Sequence, residues 1–148
     1  MVIKSLKLQL SFEFVLSLGL VMIAVLPLIY VGYTKTNESL EDLRNTKMRY
    51  LINTLKDKYE EVYLTKGEVK AKVLVPSSSA FSIATSGSLK VLNASLKVEN
   101  KDSYFVASLP QNVKDYSYSN SNQKVDDEII LRIYYNPTDN LIYTTIYF

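Results

Sequence analysis

The sequence predicts an α+β protein: a long N-terminal helix followed by a small antiparallel β-sheet or sandwich head domain. Three observations carry this expectation. Phe14–Val31 contains no charged residue. From Leu40 to Tyr63 the apolar residues fall into a one-sided helical stripe, and beyond Glu68 they alternate in short runs separated by polar turns.

The apolar character of the first stretch runs on to about Tyr33. As helix this is roughly 27–30 Å, enough to cross a hydrocarbon core. A small domain could hardly surround a helix so uniformly apolar, which argues against a buried core element. Lys4 and Lys7 precede it and no acid does before Glu13. The positive-inside tendency then leaves the N-terminus in the cytoplasm and sends the rest outside. A secretory signal would have a shorter apolar core and a small-x-small cleavage site, and "LIYVGYTKTNES" offers none. Pro27 lacks a backbone donor and is expected to kink the helix, as membrane helices tolerate.

After the membrane, "TNESLEDL" offers a helix start, with Ser39 and Asp42 at capping-box spacing. Leu40, Leu43, Met48, Leu51, Ile52, Leu55, Tyr59, Val62 and Tyr63 share one helical face. Arg44, Lys47, Lys56, Asp57, Lys58 and Glu60 lie mostly on the other. Gly67 is expected as the C-terminal cap. The domain plan is therefore a basic leader over 1–8, a long helix over 9–65 and a β-rich extracellular head over 68–148. The helix comprises a membrane or assembly segment over 14–33 and an amphipathic segment over 38–65, with a break near 32–37.

In the head, "EVKAKVLV", a short strand around Phe81–Ala84, "SLKVLNASLKVE" and "SYFVASL" read as strands. "DYSYSNSNQK", Asp115–Lys124, reads as a polar surface loop. "EIILRIYYNPTDNLIYTTIYF" reads as two strands around an Asn-Pro-Thr-Asp-Asn turn. Five or six strands result, and their sheet is the natural cover for the helical stripe.

Composition narrows function. The chain has no Cys and no His, which removes disulfides, thiol nucleophiles, imidazole bases and the usual zinc ligands. Lys4 and Lys7 account for the whole excess of 17 basic over 15 acidic residues, so the remainder has no net pull on nucleic acid. Glu60-Glu61 and Asp126-Asp127-Glu128 lack recognisable ligand spacing and read as solvated surface. No catalytic constellation, cofactor or metal site is expected. Most of the 12 tyrosines suit strand faces and interfaces, while Tyr116 and Tyr118, in the expected loop, are the candidates for adhesion. Asn37-Glu38-Ser39 and Asn93-Ala94-Ser95 are candidate N-glycosylation sequons.

One residue in the apolar region asks for an explanation. Glu13 stands at its start, and a charge near membrane depth usually has a partner or a recognition role. Residues 9–14, "QLSFEF", match Q-x-S-x-E-F after a short basic leader and directly before an apolar helix. This resembles the class III signal peptide of archaeal type IV pilin-like proteins.

The resemblance implies cleavage between Leu8 and Gln9 by a membrane-embedded prepilin peptidase, with Gln9, Ser11, Glu13 and Phe14 as recognition and assembly positions. Leu8 stands where the family commonly has a small residue. The family's plan further implies that the apolar helices pack together in the core of a surface filament. The new α-amine of Gln9 would there meet Glu13 of a neighbouring copy. On this reading the protein is a major or minor pilin serving adhesion. It sits in the inner (cytoplasmic) membrane before assembly and in the surface filament afterwards. Its partners are further copies or other pilins, the peptidase, the membrane and, indirectly, the assembly ATPase and platform protein. The alternative is a single-pass, membrane-anchored extracellular ligand-binding protein that does not polymerise.

Overall fold

The computed structural model describes residues 2–98, 101–122 and 125–147, with side chains from Phe12 onward. It has the α+β arrangement expected. Helix α1 (Val2–Thr65) leads into β1 (Glu68–Val75), β2 (Ser79–Ser86), β3 (Leu89–Val98), β4 (Lys101–Leu109), β5 (Tyr116–Asn120), β6 (Asp127–Asn136) and β7 (Leu141–Tyr147). Two compact units result, Met1–Leu40 and Glu41–Phe148. The first is helix only, and the last third of α1 belongs with the strands.

Helix α1 ends at Thr65, as expected, but its interior needs correction. No break occurs near residues 32–37, and Ser39 and Asp42 lie inside the helix rather than at a start. Polar side chains here bond back to the helix. The Thr34 hydroxyl donates to the carbonyls of Tyr30 (3.2 Å) and Val31 (3.0 Å), and Thr36 donates to Gly32 (2.9 Å). Such bonds satisfy Ser and Thr within a helix without terminating it. A Lys35–Glu38 ion pair at 3.0 Å adds one more contact across a single turn.

At the other end the left-handed residue is Lys66 (φ 52°), not Gly67. The Gly67 carbonyl already accepts from the Tyr135 N–H at 3.0 Å, so the chain has joined the sheet by that point.

Sheet A is antiparallel, in the order β1-β6-β7. Sheet B is antiparallel, in the order β4-β3-β2-β5. The β2–β3 hairpin closes through Gly87–Ser88, and Gly87 takes φ 62°, as the first position of a primed two-residue loop requires. Seven strands are present among the described residues, two more than the lower expectation. The largest difference is Tyr116–Asn120, expected in a loop and found as β5, paired with β2 from Ser79 to Ile83.

One contiguous core joins α1 to both sheets. From the helix come Met48, Leu51, Ile52, Leu55, Tyr59 and Val62. From sheet A come Ala71, Val73, Val75, Ile129, Leu131, Ile133 and Ile142, and from sheet B Phe81, Ile83, Leu92, Ala94, Leu96 and Leu109. The helical spacing therefore identifies the right stripe but extends it too far. Leu40, Leu43 and Tyr63 are exposed.

Tyr59 is fully buried, and its hydroxyl lies 2.6 Å from the Thr144 hydroxyl on β7. Burial pushes the Tyr59 phenol well above its ordinary pKa, despite the opposing Thr144 bond. The ring thus stays neutral and ties the helix to sheet A.

Thermal unfolding of the full chain, followed by its tyrosine near-UV signal, is expected to separate two substitutions at this contact. Tyr59→Phe removes the buried hydroxyl and is expected to cost about 0.5–1.5 kcal/mol. Thr144→Val keeps the shape but leaves that hydroxyl unpaired, at about 1–3 kcal/mol. Leu55→Ala, which opens a cavity at a fully buried site, is expected to cost about 2–5 kcal/mol.

Candidate functional site

The first unit presents an apolar helix with no protein cover. Every side chain from Phe12 to Tyr33 is exposed. The mean hydropathy of its most apolar 18-residue window is 2.6, so the helix is long and apolar enough to cross a membrane. Glu13 and Phe14 lie on this exposed surface. Leu8, Gln9 and Ser11 fall within the helix, but their side chains lie outside the described ones.

Gly19 adds a second observation. A Cβ built on it would meet nothing within 4 Å. Mid-helix glycine costs about 1 kcal/mol relative to alanine. Packing inside the chain therefore supplies no reason for it.

In the head, the outward side of sheet B is a shallow trough of about 370 Å³. Two registered rows build it across the strands: Tyr104–Ser95–Ala80–Ser119 and Asn93–Ser82–Ser117. Strand alternation sends the large residues of β2 and β3 inward and leaves Ser, Ala and Asn outward. Among the described residues, no carboxylate or ammonium lines this trough. It offers hydroxyls and an amide for hydrogen-bonded contact.

Asn93, one sequon residue, is exposed in the trough. Asn37, the other, is half-buried and helical, where the extended geometry of a typical acceptor loop is lost.

Tyr116 and Tyr118 are not loop residues. Both rings pack on Phe81, with centroids 6.1 and 5.8 Å away, and Ser117 and Ser119 take the outward positions. Tyr118 donates to Asp127 at 2.9 Å. Burial, that bond and the Asp127 charge push its phenol up to about 12.

Asn120, one residue beyond, is buried, and no sequence pattern singles it out. Its amide donates to the carbonyls of Val75 (3.2 Å), Pro76 (3.4 Å) and Val125 (3.1 Å), and its oxygen accepts from Asn122 N–H (2.9 Å). The alternation Tyr-Ser-Tyr-Ser-Asn is the available signal for the strand as a whole.

The acidic pairs are engaged locally. Glu60 pairs with Lys56 (3.7 Å), Glu61 with Lys58 (2.7 Å) and Glu128 with Lys72 (2.7 Å). No cluster of metal-ligating side chains occurs among the described residues. Asp126 clamps the helix to the entry of β6. It accepts from Lys47 at 2.7 Å and from the Ser77 N–H at 2.9 Å. Burial acts to raise its pKa, but the Lys47 and Ser77 bonds and the Arg44 charge outweigh it and hold the carboxyl below its usual range.

A lowered folded-state pKa stabilises the head above the unfolded value of about 3.9 and loses that contribution as pH falls through the folded value. Asp126→Asn is therefore expected to lower the melting temperature at pH 7. The difference from wild type is expected to shrink progressively below about pH 4. Melting curves of the two chains across pH 2–8 check this.

Comparison with known protein families, with characterised proteins and with solved structures returns no match.

Proposed function

We propose that the chain is a structural subunit of a type IV pilin-like surface filament. The prepilin peptidase cuts between Leu8 and Gln9, and the protein waits in the cytoplasmic membrane with its head outside. It then assembles through its apolar helix. The observation that carries this reading is the uncovered apolar surface from Phe12 to Tyr33. A helix apolar on all sides requires lipid, or other copies of itself, around it.

The Q-x-S-x-E-F run at Gln9–Phe14 supports the choice of filament over simple anchor. Gly19, with open space where its side chain would be, supports close approach by another helix. Glu13 is then a register device. An ionised carboxylate without a partner is costly wherever water is excluded. Pairing with the α-amine of a neighbouring Gln9 offsets that cost in one axial register and leaves the charge unpaired in the others. The head supplies the filament surface, and its trough and strand faces are the contact chemistry available to an adhesive role.

The deciding measurement is the N-terminal peptide mass of the protein from membranes and from sheared surface material of its native host. A start at Gln9, free or cyclised, enriched in the sheared fraction is the expected result. An intact Met1 or Val2 terminus confined to membranes would favour the non-polymerising anchored protein. Two substitutions sharpen the test. Glu13→Leu and Gly19→Leu are each expected to abolish filaments while leaving head display on the cell unchanged, as read by microscopy and surface labelling. Unaltered filaments in both would count against assembly through this helix.

A further inference from the structure

We infer that β4 joins two copies of the head edge to edge, as an isologous antiparallel strand pair centred on Phe105. β4 is hydrogen-bonded to β3 on one side and ends sheet B on the other. Free edges are normally blunted by charge, proline, bulges or a covering segment. Here the β3–β4 register is continuous over nine residue pairs without a bulge. The only charges are Lys101 and Asp102 at one end, and Pro110 lies just past the other. Ser103–Leu109 is an uncharged edge.

The other edges are managed. The start of β7 is bonded to the 112–114 segment, β1 carries Glu68, Lys70 and Lys72, and β5 is five residues long.

The residues on this edge fit a second copy of themselves. Ser103-Tyr104-Phe105-Val106-Ala107 reads small, large, Phe, large, small in both directions. An isologous contact needs that symmetry, because each residue must meet its counterpart twice. Centred on Phe105, the pairing sets Tyr104 against Val106 of the second copy, and the reverse. These two side chains are 74% and 67% exposed in the single chain. Aromatic and β-branched neighbours are a favourable cross-strand combination. Ser103 meets Ala107, Asp102 meets Ser108 and Lys101 meets Leu109, so no like charges face each other.

The inward side is also prepared. A groove of about 340 Å³ runs beside the edge, walled by Arg49, Ile52 and Asn53 of α1 and by Tyr104–Val106. The Arg49 guanidinium lies over the Phe105 ring, 5.8 Å from its centroid. Phe105 of the second copy enters this groove beside the same cation, and sheet B becomes one sheet of eight strands.

A two-fold contact cannot relate adjacent subunits of a polar helical filament. It joins heads of separate filaments, or of membrane-held subunits, and so stands apart from the assembly route proposed above.

The chain has no cysteine, so single-cysteine variants of the full-length protein in detergent micelles report on this contact directly. Phe105→Cys is expected to form a disulfide dimer under mild oxidation at least about ten times faster than Asp102→Cys or Ser108→Cys. Those positions lie about 20 Å from their own counterparts in this register. Sedimentation velocity gives a second readout from exposed positions that leave the core intact. Wild type is expected to dimerise, and Tyr104→Lys with Val106→Lys to be monomeric at the same concentration. Tyr104→Lys with Val106→Glu is expected to restore the dimer through two Lys–Glu pairs. Equal association of the Lys/Lys and Lys/Glu chains, or equal cross-linking at 102, 105 and 108, overturns the proposal.

Discussion

Burial of the Met48–Val62 stripe of α1 is the contact on which the head depends. Each of its large apolar side chains gains about 1.5–3 kcal/mol on leaving water. The stripe shares one core with the inner faces of both sheets. The chain starts in sheet A with β1, builds all of sheet B, and returns to sheet A with β6 and β7. The two sheets therefore need an element touching both, and the helix is that element. Tyr59 reaches Thr144 of sheet A, Arg49 covers Phe105 of sheet B, and Lys47 holds Asp126 where the chain re-enters sheet A. With these three ties in place, Glu41–Thr65 is part of the head rather than an appendage to it.

The same physical requirement is left open in the first forty residues. Apolar surface there is continuous, yet none of the described residues covers it from Phe12 to Tyr33. By length and composition this surface is compatible with cover by lipid. Gly19 and Pro27, both unfavourable in an isolated helix interior, are easier to accommodate where neighbouring helices or lipid set the packing. The head has its own open surfaces. The trough of sheet B is smooth because strand alternation puts Ser, Ala and Asn outward, and the β4 edge is open because the sheet ends there.

Strands with a marked apolar alternation, β1, β3, β4, β6 and β7, fall where the amino-acid pattern puts them. β5 does not, because its serine and asparagine content reads as loop and outweighs the alternation of Tyr116, Ser117, Tyr118, Ser119 and Asn120. Asn120 is polar and buried, a combination that only its three carbonyl acceptors and the Asn122 N–H make tolerable. Ser39 and Asp42 suggest a helix start because their spacing fits a cap. Thr34, Thr36 and the Lys35–Glu38 pair instead carry the helix through. The apolar stripe has the phase that its spacing implies, but Leu40 and Leu43 remain exposed because the shared core begins at Met48. At the candidate assembly surface, the apolar run and Glu13 are legible as residues, whereas the open space at Gly19 is a fact of packing.

Local, periodic signals in the amino-acid sequence suffice for an apolar helix long enough for a membrane, an amphipathic continuation and a run of alternating strands. Composition also settles which chemistry is missing, since a chain without Cys or His lacks those ligands and nucleophiles whatever its fold. Tertiary contacts were needed to decide which strands share a sheet, that Tyr116 and Tyr118 face the core, and that β4 is left with a free edge. Those outcomes depend on residues far apart in the chain, such as Tyr59 with Thr144 and Ser79 with Asn120. Periodicity says which side of an element is apolar. It does not say which distant element will cover it.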